Sequence, residues 1–177
     1  GLSVGSFLNV VILRFDDFET VLKGRSHCPH CKKILKWYEL IPLFSYLFLV
    51  GRCFTCKKTI SLQYPLVELA SALIFLLIFL NYGISWESLI LAVVFSLLIV
   101  ISAYDILHSE IPDILSYLLI FFGLLWTFYF LSISRNLDLA GFLPYIYAVL
   151  IGGGFFAFLV LVSRQKWMGA GDILLGA

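Results

Sequence analysis

Four stretches of the chain are apolar almost without interruption: Leu62–Leu80, Ser88–Tyr104, Ile114–Leu131 and Phe142–Ser163. A helix that crosses a bilayer needs roughly 20 mostly apolar residues, so each stretch predicts one spanning helix. Leu2–Leu13 predicts the tail of a further span and Ile173 onward the head of another, so both ends read as cuts through longer elements. The opening stretch is too short, and lacks the flanks, to be a secretory signal. Short polar links at 81–87 and 132–140 join the spans, and no repeat period is visible. Between Arg14 and Ser61 the pattern changes to polar, basic and cysteine-bearing. Inside that region Leu40–Val50 is apolar but too short to cross, contains Pro42 and is bounded by Gly51. It predicts a small extramembrane domain with a modest core, part of it lying against the bilayer surface. A re-entrant segment is the alternative.

The expected fold is therefore an all-α polytopic membrane protein: residues 1–13 end a first transmembrane helix, 14–61 form a cysteine domain, and 62–177 form a C-terminally incomplete helix bundle. Composition agrees. The 177 residues are 62% hydrophobic and 13% charged, with a mean hydropathy of +1.02, whereas soluble domains average about 45–50% apolar and about 25% charged. Net charge is only +1, but nine of the 12 Lys and Arg residues lie between Arg14 and Lys58, leaving Arg135, Arg164 and Lys166. Basic residues in short loops favour the cytoplasm, so the cysteine domain is expected there. Counting spans forward puts the 81–87 and 132–140 links outside and the 105–113 and 164–172 links inside. Arg164 and Lys166 agree with this, and Arg135 disagrees weakly.

That topology brings two aspartates to one membrane face. Asp105 opens Asp105-Ile106-Leu107-His108-Ser109-Glu110-Ile111-Pro112-Asp113, and Asp172 closes Gly169-Ala170-Gly171-Asp172. A carboxylate costs free energy beside hydrocarbon. Two brought close share one proton, so that one serves as general base on a water and the other as general acid on a scissile carbonyl. Gly169 and Gly171, lacking Cβ, would let backbone or substrate approach the second aspartate. Helix polarity favours a protonated Asp105 at a helix end and an ionised Asp172 at a helix start. From the residues alone, a water boundary or a pair of helix caps accounts for them equally well. Asp113, after Pro112 and before Ile114-Leu115, reads as the N-cap of the next helix, and His108 and Glu110 read as solvated loop groups.

Cys28-Pro29-His30-Cys31 and Cys53-Phe54-Thr55-Cys56 are C-x2-C pairs separated by 21 residues, close to the spacing of a four-cysteine zinc site. Cys28, Cys31, Cys53 and Cys56 would supply four thiolates to a structural Zn²⁺. Lys32, Lys33, Lys57 and Lys58 would offset its negative charge, and a cytoplasmic location favours reduced thiols over the redox alternative. Gly1-Leu2-Ser3-Val4-Gly5-Ser6 offers a small-residue face for close helix packing. Gly152-Gly153-Gly154 offers another, or loosens its helix. Glu68, within an apolar segment, is a functional suspect or a headgroup-level carboxylate.

With these residues in view the chain resembles the type IV prepilin peptidases, the prepilin leader peptidase/N-methyltransferase family. The similarity runs through Gly5-Ser6-Phe7-Leu8-Asn9-Val10-Val11 with Arg14, Arg25-Ser26-His27-Cys28-Pro29-His30-Cys31, and Leu40-Ile41-Pro42-Leu43-Phe44-Ser45-Tyr46. It continues through Gly51-Arg52-Cys53, Tyr64-Pro65-Leu66-Val67-Glu68 and the two aspartate motifs. The resemblance implies an intramembrane aspartyl protease with Asp105 and Asp172 as catalytic pair. It would remove the leader of type IV prepilins or pseudopilins, after a glycine, on the cytoplasmic side of the bacterial inner membrane. It also implies, for many members, methylation of the new N-terminus from S-adenosylmethionine, a step linked to the cysteine domain and the stretch carrying Glu68. One position departs: the family commonly has Lys two residues after the second aspartate, where Leu174 stands. The lipid bilayer is the other expected partner, and no nucleic acid is expected. Two readings from other classes remain. A membrane thiol–disulfide oxidoreductase would need its C-x2-C pairs near an oxidising face, and a proton-relay transporter would need its carboxylates near mid-membrane.

Overall fold

The computed structural model describes residues 1–15, 18–133, 139–163, 169 and 171–176. Arg135, Arg164 and Lys166, used above for topology, lie outside the described residues. The chain is helical: α1 Leu2–Leu13, α2 Phe18–Lys23, α3 Phe44–Phe48, α4 Gln63–Tyr82, α5 Trp86–His108, α6 Asp113–Ile133, α7 Leu139–Ser163 and α8 Gly171–Gly176, with a 3-10 turn at Trp37–Leu40. No strand occurs among the described residues, only isolated bridges His27–Ile34 and Arg52–Thr59. Among the described residues four helices are long and apolar enough to cross a membrane: α4, α5, α6 and the Gly141–Ser163 part of α7. Each runs a few residues past its apolar stretch. Asp105 is thereby absorbed into the last turn of α5, which continues to His108. Large apolar side chains remain exposed along these helices, among them Leu73, Leu77, Phe121, Leu124 and Phe158, as expected where hydrocarbon replaces water.

The chain divides into two compact units, Gly1–Ala103 and Tyr104–Ala177. In the first, α1 lies on α4. The small-residue face makes this possible: a Cβ on Gly5 would meet the Ser71 hydroxyl and stand 2.7 Å from Glu68 Cα, and one on Gly1 would stand 2.5 Å from Ala72 Cα. The seam is polar as well as tight. Ser71, fully buried, donates its hydroxyl to the carbonyls of Gly1 and Glu68 at 3.0 Å each. The buried Asn9 donates to Gly5 O at 3.3 Å and Tyr64 O at 3.1 Å. Such bonds hold apolar helices together where water offers no hydrophobic force.

Between α1 and α4 the basic segment folds as a domain of loops and short helices. Arg14 ties its start, donating to Thr20 O at 2.7 Å and Arg25 O at 3.2 Å. The buried Glu39 closes the 3-10 turn: one carboxylate oxygen accepts the Lys36 N–H at 2.8 Å and the other pairs with Lys33 at 3.3 Å. The Lys36 N–H, foremost, holds the Glu39 carboxyl below its usual range, against burial and with the help of Lys33.

In the second unit α8 packs on α7 and α6. Gly152 of α7 receives the Gly176 carbonyl, and Gly176 in turn lies against the Phe156 ring, so the glycine run of α7 is a packing face at Gly152, while a Cβ on Gly154 would meet nothing among the described residues.

Candidate active site and metal centre

Asp105 and Asp172 fall in the same unit. Asp105 is exposed on the last turn of α5. Its carbonyl accepts the Ser109 N–H at 2.7 Å, and Ser109, at φ +55°, turns the chain out of the helix. Its neighbour Tyr104 is buried, and His108 stacks on the Tyr104 ring with centroids 4.1 Å apart and Nδ1 3.2 Å from the Tyr104 carbonyl oxygen. His108 is thus a helical residue rather than a loop group, although it is exposed, as is Glu110. Asp113 is not the N-cap expected of it. It is the first residue of α6, because the Pro112 carbonyl already accepts the N–H of Leu115 at 3.0 Å and of Ser116 at 3.4 Å.

Asp172 lies in the first turn of α8 and is half-buried. Its Oδ2 accepts the Gly169 N–H at 2.9 Å, while its own N–H donates to Gly169 O at 3.3 Å. The carboxylate and its loop therefore hold each other in place. Gly171 then makes the decisive contact: a Cβ built on it would stand 3.2 Å from Ile111 Cβ and 3.5 Å from Ile111 O. A Cβ there would be tighter than an ordinary contact, so glycine eases this approach. The loop that follows Asp105 and the first residue of α8, just before Asp172, touch at Ile111 and Gly171. Ile111 was legible in the sequence only as an apolar residue of the first motif, and nothing there signalled its partner.

The four cysteines come together. Cys28, Cys31, Cys53 and Cys56 are all free, with their sulfurs within 4.8 Å of one another. Two matching knuckles present them. Cys28 N–H donates to Lys33 O and Lys32 N–H to Cys28 O, both at 2.9 Å, and Cys53 and Lys57 repeat the pattern with Lys58 O and Cys53 O at 2.9 and 3.0 Å. Lys32 at φ +58° and Lys57 at φ +57° make the equivalent turns. A tetrahedral Zn²⁺ with Zn–S near 2.3 Å sets sulfurs about 3.8 Å apart. Cys28 Sγ and Cys56 Sγ are 3.8 Å apart, so the donor set fits such an ion. The backbone N–H groups of Cys56 and then Thr55 bring the Cys53 thiol down to about 6. The Lys58 N–H favours thiolate at Cys56, but burial and the adjacent thiols of Cys53, Cys28 and Cys31 push it up to about 11. A bound cation would remove that conflict by taking all four as thiolates.

Glu68 is buried in the second turn of α4. Its Oε2 accepts the Leu43 N–H at 2.8 Å, and the Ser6 hydroxyl also donates to the carboxylate. Leu43 sits at φ +59°, a conformation that aims this N–H and that L side chains rarely adopt. Beside Glu68 is a cavity of about 900 Å³ lined in part by Ser6, Tyr46, Gln63 and Tyr64. Gln63 Nε2 is buried without a partner among the described residues.

Residues 1–82 match a family profile described as the bacterial peptidase A24 N-terminal domain, and residues 92–177 match the type IV leader peptidase family. A type 4 prepilin-like proteins leader peptide-processing enzyme of Escherichia coli O78:H11 is 36% identical over 201 residues, spanning 100% of this chain and 72% of its own length. The chain belongs to the type IV leader peptidase family. Two further relatives of that family are both named prepilin leader peptidase/N-methyltransferase. That of Bacillus subtilis is 36% identical, covering 100% of this chain and 68% of the relative, and that of Neisseria gonorrhoeae is 33% identical, covering 99% and 68%. No solved structure matches the chain significantly. The family assignment gives no support to a thiol–disulfide oxidoreductase.

Proposed function

We propose that this protein is an aspartyl endopeptidase that removes the leader from type IV prepilins or pseudopilins at the cytoplasmic face of the bacterial inner membrane. Asp105 and Asp172 are its catalytic pair. The single observation that carries the reading is the contact of Gly171 with Ile111, which joins the two aspartate motifs loop to loop at the ends of apolar helices. In this reading Asp172, held by the Gly169 N–H on Oδ2, is the general base and Asp105 the general acid. Asp172 takes a proton from water as its oxygen attacks the scissile carbonyl, and Asp105 gives its proton to the carbonyl oxygen. The tetrahedral diol then collapses: Asp172 gives the proton to the departing amine, and Asp105 recovers one from the diol. Neither a covalent intermediate nor a metal takes part in this sequence. Nine basic residues between Arg14 and Lys58 support the cytoplasmic sidedness.

The names of the relatives extend the proposal to methylation of the newly exposed amine. S-adenosylmethionine, when bound, supplies the methyl group. The cavity beside Glu68 suits a ligand of that size, and Gln63 and Glu68 are among the polar residues that line it. Glu68 would hold a cationic centre and take up the proton that the amine loses. Zn²⁺ on Cys28, Cys31, Cys53 and Cys56 would fix the fold of the domain that walls this cavity, since Cys28 and Cys53 line it.

The test is incubation of the purified protein with a prepilin carrying a Gly-Phe junction, with and without S-adenosylmethionine, read by mass spectrometry. Leader loss without the cofactor and one added methyl with it are expected. An uncut prepilin would overturn the peptidase reading, and a cut but unmethylated one the methyl-transfer reading.

A further inference from the structure

We propose that α3 and its flanks form a docking wedge that seats the cysteine domain in the headgroup–acyl boundary of an anionic bilayer. The inference rests on the chain being a membrane protein and is independent of the peptidase reading.

The apolar surface is large for so short a segment. Phe44, Leu47, Phe48 and Val50 are exposed, Phe48 at 83%, and Trp37 of the neighbouring 3-10 turn at 77%. That turn packs against α3, so these side chains belong to one patch. On a domain surrounded by water such a patch would be a liability.

Its depth follows from the Leu43–Glu68 hydrogen bond. Leu43 immediately precedes α3, and Glu68 lies five residues into α4. At a rise of 1.5 Å per residue, that is about 7 to 8 Å inward along the helix from Gln63. Exposed leucines run from Leu62, just before α4, through Leu66, Leu69 and Leu73, so its lipid-facing surface starts at its first turn. The Glu68 side chain leans back toward the helix start, so the start of α3 is level with the first two turns of a spanning helix, the region where interfacial helices reside.

The backbone is prepared for immersion. The N–H groups of Phe44, Ser45, Leu47, Leu49, Val50 and Gly51 all donate to carbonyls between Ile41 and Leu47, at 2.6–3.1 Å. Hydrocarbon offers no substitute partner, so a segment that enters it must satisfy itself.

Charge selects the lipid. From residue 24 to residue 61 the chain carries seven basic residues and one acidic residue, Glu39, which Lys33 already pairs. Four thiolates on one Zn²⁺ remove about two of these positive charges, and the excess stays positive. Arg52 follows the wedge directly and is exposed. An apolar wedge followed by a cation, on a domain of net positive charge, complements anionic headgroups above acyl chains.

The test places p-benzoylphenylalanine at Phe48 in the full protein, reconstituted in nanodiscs of phosphatidylglycerol and phosphatidylcholine, and identifies the photo-adducts by mass spectrometry. The control places it at Phe54, an exposed phenylalanine of the same domain whose ring lies 5.5 Å from Lys33 Nζ and 5.1 Å from Lys57 Nζ. Lipid adducts are expected mainly at position 48. They should be enriched in phosphatidylglycerol over the bulk ratio about fivefold, the factor one basic residue near an anionic surface supplies. Adducts from position 48 to polypeptide, whether a second copy or a pilin-like substrate, would overturn the proposal. Equal lipid labelling at 48 and 54, or no lipid labelling at 48, would do the same, and labelling in the bulk lipid ratio would overturn its charge selectivity.

Discussion

Gly171→Ala tests the contact that joins the two aspartate motifs. The added Cβ would stand 3.2 Å from Ile111 Cβ, 3.5 Å from its carbonyl oxygen and 3.7 Å from Cγ2. Carbon atoms rest at about 3.5–4.0 Å, so the shortest contact must open by a few tenths of an ångström. Overpacking of this kind costs about 1–3 kcal/mol when nothing moves. If the loop moves instead, Asp172 moves with it, because its Oδ2 is bonded to Gly169 of the same loop. A misplacement of about 1 Å costs about 100-fold in rate, so a shift of a few tenths is expected to lower kcat about 3- to 10-fold with KM little changed. Gly169→Ala is the matched control: its Cβ meets nothing within 4 Å among the described residues, and its N–H is retained for Asp172. It should stay within about twofold of the parent, as substitutions away from packed features do. The assay is steady-state cleavage of a prepilin peptide by protein in detergent or nanodiscs. Equal rates for Gly171→Ala and the parent would refute the packing argument, as would an equal loss in Gly169→Ala.

Metal analysis of the reduced protein should find one zinc per chain, and a metal-free, intact preparation would remove the centre. Cys28→Ser and Cys53→Ser should lower thermal stability or methylation more than peptide cleavage, because the knuckles lie in the unit 1–103 and the aspartates in the unit 104–177; an equal loss of cleavage in a well-folded variant would count against this. Glu39→Gln should lower Tm at neutral pH. The Glu39 carboxyl is held below its ordinary value of 4.5 in the fold, chiefly by the Lys36 N–H. Its contribution is therefore full above that value and lost as pH falls through the lower folded value. The Tm gap between parent and variant should close on acidification below about pH 4, and a gap constant with pH would contradict it.

Much of this was legible in the sequence, and the exceptions share a cause. The spans were visible because length and apolarity are properties of a segment alone. So was the cysteine centre, whose two C-x2-C pairs are local signals that only need to meet. The small-residue face of α1 was readable, but not that Glu68 and Ser71 of α4 would fill it. The end of α5 was misjudged because Ser109 takes the positive-φ turn usually signalled by glycine. Leu43 and Val50 hide their turns in the same way. The Ile111–Gly171 contact joins residues far apart in sequence, and the resemblance marked both motifs without showing what holds them together.

The most direct measurement is leader release from a prepilin by the parent protein and by Asp105→Asn and Asp172→Asn, each purified in folded form and followed by mass spectrometry across pH. A proton-sharing pair predicts that the parent cuts with a bell-shaped pH profile and that neither variant cuts measurably. Near-parental cleavage by either variant, or a profile with a single rising limb, would contradict the catalytic pair.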